Sequence, residues 1–261
     1  MITQTFSLVT FEYFLLILVR VATFVFIAPF FSQDGVPNMT RIGFSAVVAI
    51  LILFSIEPAE VGDYADVFGY GVLVLKEAMT GLLIGYAANI CSYIMLFAGN
   101  IIDMDIGLSM VSMFDPSMNM QVTITGNIYN QVTMMLLIAS NMHQYILRTA
   151  IDSFSVIPLG GAVFRSDVLL ESMIVYFTDS FIIGFRIMMP IFATILIVNV
   201  VLGVMAKVAP QMNMFAIGVQ LKIIAGFLVL LIMVFLFPEA AQLVFNEMAL
   251  MMGNFMDGMH E

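Results

Sequence analysis

The sequence predicts an all-α fold of polytopic, membrane-associated helical hairpins, and three observations carry that expectation. Apolar residues make up 62% of the 261 positions and charged residues 10%, whereas soluble domains carry about 25% charged residues. The mean hydropathy is +1.09, so a sphere of this size has too little interior to hide the apolar surface. The apolar residues also fall into long runs separated by turn and helix-breaking residues. Soluble globular, disordered and disulfide-framework classes are excluded, the last also because Cys91 is the single cysteine. The opening Met1-Ile2-Thr3-Gln4 lacks the basic region of a cleavable signal, so the first apolar segment is expected to be retained.

Apolar stretches run over 8–31, 42–56, 67–102, 122–142, 172–206 and 213–237. A spanning helix needs about 20 apolar residues. The stretch 42–56 is short for a span, while 67–102 and 172–206 would each reach about 50 Å if straight. Either the long stretches break into hairpin halves, or the helices do not all cross one flat bilayer. The breakers fit this division: Asp34-Gly35-Val36-Pro37, Glu57-Pro58, Pro116, Pro158-Leu159-Gly160-Gly161, Pro210 and Pro238. Pro190 lies inside the fifth stretch and removes the donor for the Arg186 carbonyl, which predicts a kink. Residues 1–261 are read as a single domain with approximate halves 1–121 and 122–237 and an acidic, Met-rich tail over 238–261. The tail reads either as an amphipathic helix on a partner or membrane surface or as a fraying end.

The chain carries a net charge of -10 with eight scattered basic residues, which argues against a nucleic-acid partner because no basic patch exists to displace counterions. His143 and His260 have no metal-ligand spacing, and no Walker A, dinucleotide or Gly-x-Ser-x-Gly motif occurs. No metal, cofactor or enzymatic activity is therefore expected. Ionisable residues inside apolar runs say more, since each costs about 2.5–3.5 kcal/mol at the centre of a span. Among them are Arg20, Lys76, Glu77, Asp179, Arg186 and Lys222. Asp179 and Arg186 are two helical turns apart on one face. A proton or ion relay is one reading; interhelical pairing at subunit contacts is favoured, because relays cluster carboxylates and histidines. Gly81-x-x-x-Gly85 would let another helix approach closely.

Methionine is the compositional oddity. Of 24 methionines, five (Met104, Met110, Met113, Met118 and Met120) fall within 104–120, several times the share an even spread gives. Gly107, Phe114, Asp115 and Pro116 share that segment and argue against a regular buried helix. Flexible, polarizable Met side chains refill irregular space as their surroundings change, so the segment suits a deformable seal.

Taken in order, several motifs resemble one family. Arg20 precedes Ala28-Pro29-Phe30-Phe31, Val36-Pro37 and Arg41-Ile42-Gly43, followed by Glu77-x-x-x-Gly81-x-x-x-Gly85 and Ala98-Gly99. Then come Asp103 through Gly107-Leu108-Ser109-Met110, Phe114-Asp115-Pro116, Asn141-Met142-His143, Asp152-Ser153-Phe154 and Pro158-Leu159-Gly160. Lys207-Val208-Ala209-Pro210-Gln211-Met212-Asn213 and Lys222 complete the set. From about residue 12 to 237 this order is similar to the FliR/SctT family of type III secretion export-gate proteins. Val219-Gln220 departs from the Phe-Pro of many relatives.

The resemblance implies a FliP-like half followed by a FliQ-like half, with hairpins raised partly out of the bilayer. It implies a non-enzymatic subunit that forms, with FliP and FliQ, the gate for unfolded rod, hook and filament proteins. FlhB and FlhA would act beside it, in the inner membrane at the flagellar basal body. The 106–122 loop would be a plug, with Gly107, Met110, Met113, Phe114, Asp115, Pro116, Met118 and Met120 sealing the closed pore. Asp103, Lys207 and Lys222 would lie with the other intramembrane charges at subunit contacts. A stand-alone secondary transporter of ions or small solutes is the alternative; it predicts paired broken helices in the two halves.

Overall fold

The computed structural model describes residues 8–33, 35–56, 67–109, 123–211 and 213–260. Among these residues there are nine helices and no strand: α1 (Leu8–Ile27), α2 (Asn38–Ser55), α3 (Val67–Ala88), α4 (Ile90–Ile106), α5 (Ile124–Ala139), α6 (Met142–Val156), α7 (Ser166–Val208), α8 (Met214–Met233) and α9 (Phe237–Asp257). Five of them (α1, α2, α3, α7 and α8) are long and apolar enough to cross a membrane. The protein is an all-α polytopic membrane protein. Two compact units interleave along the chain. The first takes Met1–Ile90, Asn141–Tyr176 and Glu247–Glu261, and the second takes Cys91–Ser140 and Phe177–Asn246. They cut across a division at 121/122.

In the first unit α1 supplies the central stripe. Tyr13, Leu16, Ile17, Arg20, Val21, Phe24, Val25 and Ala28 are buried at successive spacings of three and one, so each residue recurs three and four positions on, the period of one helical face. α1 packs against α2 and α3. Buried Ser45, Val48, Ala49 and Ile52 form the inner face of α2, while Val47, Leu51 and Phe54 stay exposed. A tight corner after α1 places Phe30 at φ 71, a costly conformation for a bulky residue. The corner is fixed by packing: Phe30 meets Phe31 edge-on at 5.2 Å, and Phe31 stacks on Phe44 at 5.1 Å.

The second unit is built on α4, α5, most of α7 and α8. Ile94, Met95, Ala98, Ile102 and Ile106 line the buried side of α4. Phe97 reaches the Phe181 and Phe185 rings of α7 at 4.9 and 5.7 Å. It occupies the space a side chain at Gly184 would fill.

The two long apolar stretches behave differently. The 67–102 stretch is interrupted at Asn89, whose N–H sits 3.1 Å from both the Gly85 and Tyr86 carbonyls. The 172–206 stretch stays within a single 43-residue helix that continues through Pro190. The Pro190 carbonyl there accepts the Thr194 hydroxyl at 2.9 Å. Part of 143–171, which hydropathy leaves as a polar connection, is α6, an amphipathic helix burying Ile146, Thr149, Ser153 and Phe154.

The C-terminal tail is an amphipathic helix and not a fraying end, but its apolar face packs inside this chain. The tail forms α9, and Met248, Met251, Met252, Phe255 and Met259 are buried within the first unit at 0–1% exposure. Beyond the helix, the Val163 and Arg165 amides donate to the Met259 and Gly258 carbonyls at 3.1 and 3.2 Å, and the Arg165 side chain donates to the Asp257 carbonyl. Met252→Ala is expected to destabilise the protein by about 2–5 kcal/mol, while Leu250→Ala, at 60% exposure, should change stability by no more than about 0.5 kcal/mol. Thermal unfolding in mild detergent checks the pair.

Candidate functional site

Two constellations around buried charges stand out, one in each unit. In the first, Arg20 of α1 and Glu77 of α3 form an ion pair with Nε 2.5 Å from Oε2, at 1% and 0% exposure. Arg20 Nη1 also donates to the Ser153 and Ile157 carbonyls at 3.3 and 2.9 Å, which ties down the C-terminal end of α6. The guanidinium lies 4.3 Å from the centre of the Phe154 ring, an added cation–π attraction. The other Glu77 oxygen accepts the Gly160 amide at 2.8 Å. Gly160 has φ +75, and a Cβ there would press on Leu73, so the turn that delivers this amide requires glycine. Arg20 Nη2 has no hydrogen-bond partner, and Arg20 lines a void of about 10 Å³ with Phe24, Gly81, Ser153 and Phe154.

The glycines of α3 make the pair possible. A Cβ at Gly81 would overlap the Arg20 carbonyl and the Thr23 hydroxyl, and one at Gly85 would sit 3.0 Å from the Phe24 carbonyl. The two backbones therefore touch beside the ion pair, close enough for direct charge contact. Thr23 returns its hydroxyl to the Val19 and Arg20 carbonyls at 2.9 and 3.0 Å.

The second constellation centres on Asp103, which is 4% exposed. Its backbone carbonyl accepts the Gly107 and Ser109 amides at 3.1 and 3.3 Å. Gly107, at φ 93, ends α4 in the left-handed conformation that suits glycine. The Asp103 carboxylate accepts the Thr125 hydroxyl at 2.5 Å and the Thr125 amide at 3.2 Å. A carboxylate at the first turn of α5 also complements the positive end of that helix. Thr123 completes the cap by accepting the Gly126 amide at 2.6 Å. A Cβ on Gly99 would collide with the backbone of Gly126, so α4 and α5 are in backbone contact. One residue thus joins both flanks of the Met-rich segment. Met110, Met113, Phe114, Asp115, Pro116, Met118 and Met120 lie outside the described residues.

The remaining intramembrane charges are dispersed. Lys76 is half-buried, with Nζ 3.5 Å from the Gly160 carbonyl. Asp179 and Lys222 are half-buried, and Arg186 and Lys207 are exposed. The expectation of subunit contacts fits the geometry of Arg20, Glu77 and Asp103 poorly: all three are buried inside one unit and bonded within the chain. Sequence reasoning missed their acceptors and donors, because Ser153, Ile157 and Gly160 lie in a stretch of low hydropathy. A Thr-x-Thr-Gly helix start at 123–126 was the available signal for Thr125.

Arg20→Ala or Glu77→Ala alone is expected to cost about 3–5 kcal/mol, since each leaves a buried unpaired charge. The double variant should cost less than the sum, with a coupling of about 1–3 kcal/mol in a denaturant-unfolding cycle. Asp103→Ala should cost about 1.5–3 kcal/mol by the same measurement, for the loss of hydrogen bonds to a charged group.

Residues 11–248 match the family described as bacterial export proteins, family 1. The chain is similar to the flagellar biosynthetic protein FliR of Bacillus subtilis (strain 168), with 29% identity over 85% of this chain and 86% of that protein. It is 25% identical to the protein of that name from Escherichia coli (strain K12) over 88% of this chain and 87% of the other. For the Aquifex aeolicus (strain VF5) protein of the same name, the identity is 29% over 86% and 87% of the two chains.

Proposed function

The chain belongs to family 1 of the bacterial export proteins, and from that premise we propose that it is a non-enzymatic subunit of the flagellar type III export gate. With FliP-like and FliQ-like subunits it forms the channel through which unfolded rod, hook and filament proteins leave the cell. The gate sits in the inner membrane at the flagellar basal body, beside FlhB-like and FlhA-like proteins. The FliP-like half comes first and the FliQ-like half follows.

The observation that supports shared assembly is the length of α7. Its 43 residues extend about 64 Å at about 1.5 Å each, against a hydrocarbon layer of about 30 Å. Exposed Leu170, Ile174, Phe181, Phe185, Leu196 and Val204 run along most of it. At a tilt of about 40°, the upper end of the usual range, the apolar span from 170 to 204 still covers about 39 Å of the membrane normal. Lipid alone leaves part of that face in water, so other apolar subunits must cover the rest.

The Met-rich segment 106–122 serves as the plug, with Phe114 and its Met neighbours filling the closed pore. The Asp103 clasp supports this reading. It holds both flanks of the segment to a glycine-packed stem, so that the loop can yield while its base stays in place.

Native mass spectrometry of the tagged chain co-expressed with its FliP-like and FliQ-like neighbours is expected to give a hetero-oligomer holding all three. A lone monomer or homodimer would instead favour the stand-alone transporter. Deleting 110–120 should leave that assembly intact and make cells leak ions and small solutes, read by dye or ion uptake. Unchanged permeability in an assembled complex would refute the plug.

A further inference from the structure

The Asp152-Ser153-Phe154 motif is only partly used by the Arg20 constellation. Ser153 and Phe154 are buried beside Arg20, whereas Asp152 is exposed. It lines a groove of about 360 Å³ between the ends of α2 and α6, walled by Ile52, Ser55, Ile56, Ile151, Phe154 and Ser155. We propose that this groove docks a basic, apolar-flanked segment of a partner polypeptide, with a Lys or Arg side chain on Asp152.

The charge of the groove points to that occupant. Both bordering helices end there, and α2 presents the negative end of its dipole. Neither has a basic residue in its last turn. Arg20 answers the Ser153 and Ile157 carbonyls at the end of α6, so the negative field of the groove comes from Asp152 and the end of α2. Arg148, one turn before Asp152 on α6, is exposed, and neither residue forms an ion pair within 4 Å among the described residues. A basic side chain carries its charge on an aliphatic stem. The stem matches Ile52, Ile151 and Phe154, while the charged head matches Asp152. An acidic or neutral segment would fill the same walls but leave the carboxylate and the end of α2 unanswered. The inference is independent of the plug, since it concerns the other unit.

The test uses the full chain in its native membrane complex, with a photoreactive phenylalanine analogue at Ser155 and the adducts mapped by mass spectrometry. The expected adduct lies on a polypeptide within a few residues of a Lys or Arg. Asp152→Lys should cut its yield about fivefold or more, as expected for a like charge placed at a docking site. Changing that partner Lys or Arg to Glu in the Asp152→Lys background should restore the yield. Asp152→Asn removes the charge at nearly constant shape, and a fall in yield with unchanged thermal unfolding separates docking from folding. Adducts confined to lipid or to acidic or neutral segments would overturn the proposal. So would a yield indifferent to both Asp152 variants, or the absence of any polypeptide adduct.

Discussion

A guanidinium that cannot reach water depends on acceptors inside the protein, and the first unit is arranged around that demand. Arg20 is 1% exposed. Its charge is met by Glu77, and its other hydrogen bonds go to the end of α6. Leaving a buried ion without a partner is among the most expensive faults a fold can carry. The pair therefore dictates that α1 and α3 meet at Gly81, that α6 ends against α1, and that the following turn presents Gly160 to the second Glu77 oxygen. Three segments distant in sequence are fixed by one charge. Apolar packing alone would tolerate a slide or rotation of α1; two carbonyls and a carboxylate in set directions do not.

The second unit applies the same rule on a smaller scale. The Asp103 carbonyl, in the last turn of α4, takes the Gly107 and Ser109 amides, and its carboxylate answers the free Thr125 amide at the start of α5. Between these bonded ends runs a segment whose Met and Phe side chains have no such directional partners in the sequence pattern. Van der Waals filling is non-directional, which lets a surface deform without leaving a buried polar group unmet. The proposed gate thus combines a stem specified by hydrogen bonds with a plug specified by volume. The exposed apolar faces of α7 and α8 extend the argument outward. Faces of that kind are stable against lipid or apolar partners, and the proposed assembly supplies both.

Some of this architecture was legible in the residues. The stripe of α1, from Tyr13 to Ala28, follows the helical period closely, and the breakers before α2, α7 and α8 fall close to the helix ends. α6 and α9 escaped a search for apolar runs, because each buries only one face and keeps polar residues on the other. Their period was nevertheless readable: Ile146, Thr149, Ser153 and Phe154 in α6, and Val244, Met248, Met251, Met252 and Phe255 in α9. Total hydropathy detects a helix surrounded by lipid; only periodicity detects one that lies between protein and a polar surface. The contrast between Asn89, where the helix is interrupted, and Pro190, where it continues, runs against propensity. Proline removes one hydrogen bond, a loss that neighbouring groups in an apolar helix can offset.

What the sequence determined by itself was the medium and the element type. A charge content of 10% and runs of about 20 apolar residues leave helices in a membrane as the stable solution, since each helix satisfies its own backbone. The pairing of charges was decided only by the tertiary structure. Arg20 is 57 residues from Glu77 and 137 from Ile157, and Asp103 is 22 from Thr125. Local propensity acts over a few residues, whereas the partner of a buried charge is whichever group the packed backbones bring within about 3 Å. The same ordered residues that resemble the export-gate family thus name the charges. Folding alone shows that Arg20, Glu77 and Asp103 are bonded within their own chain.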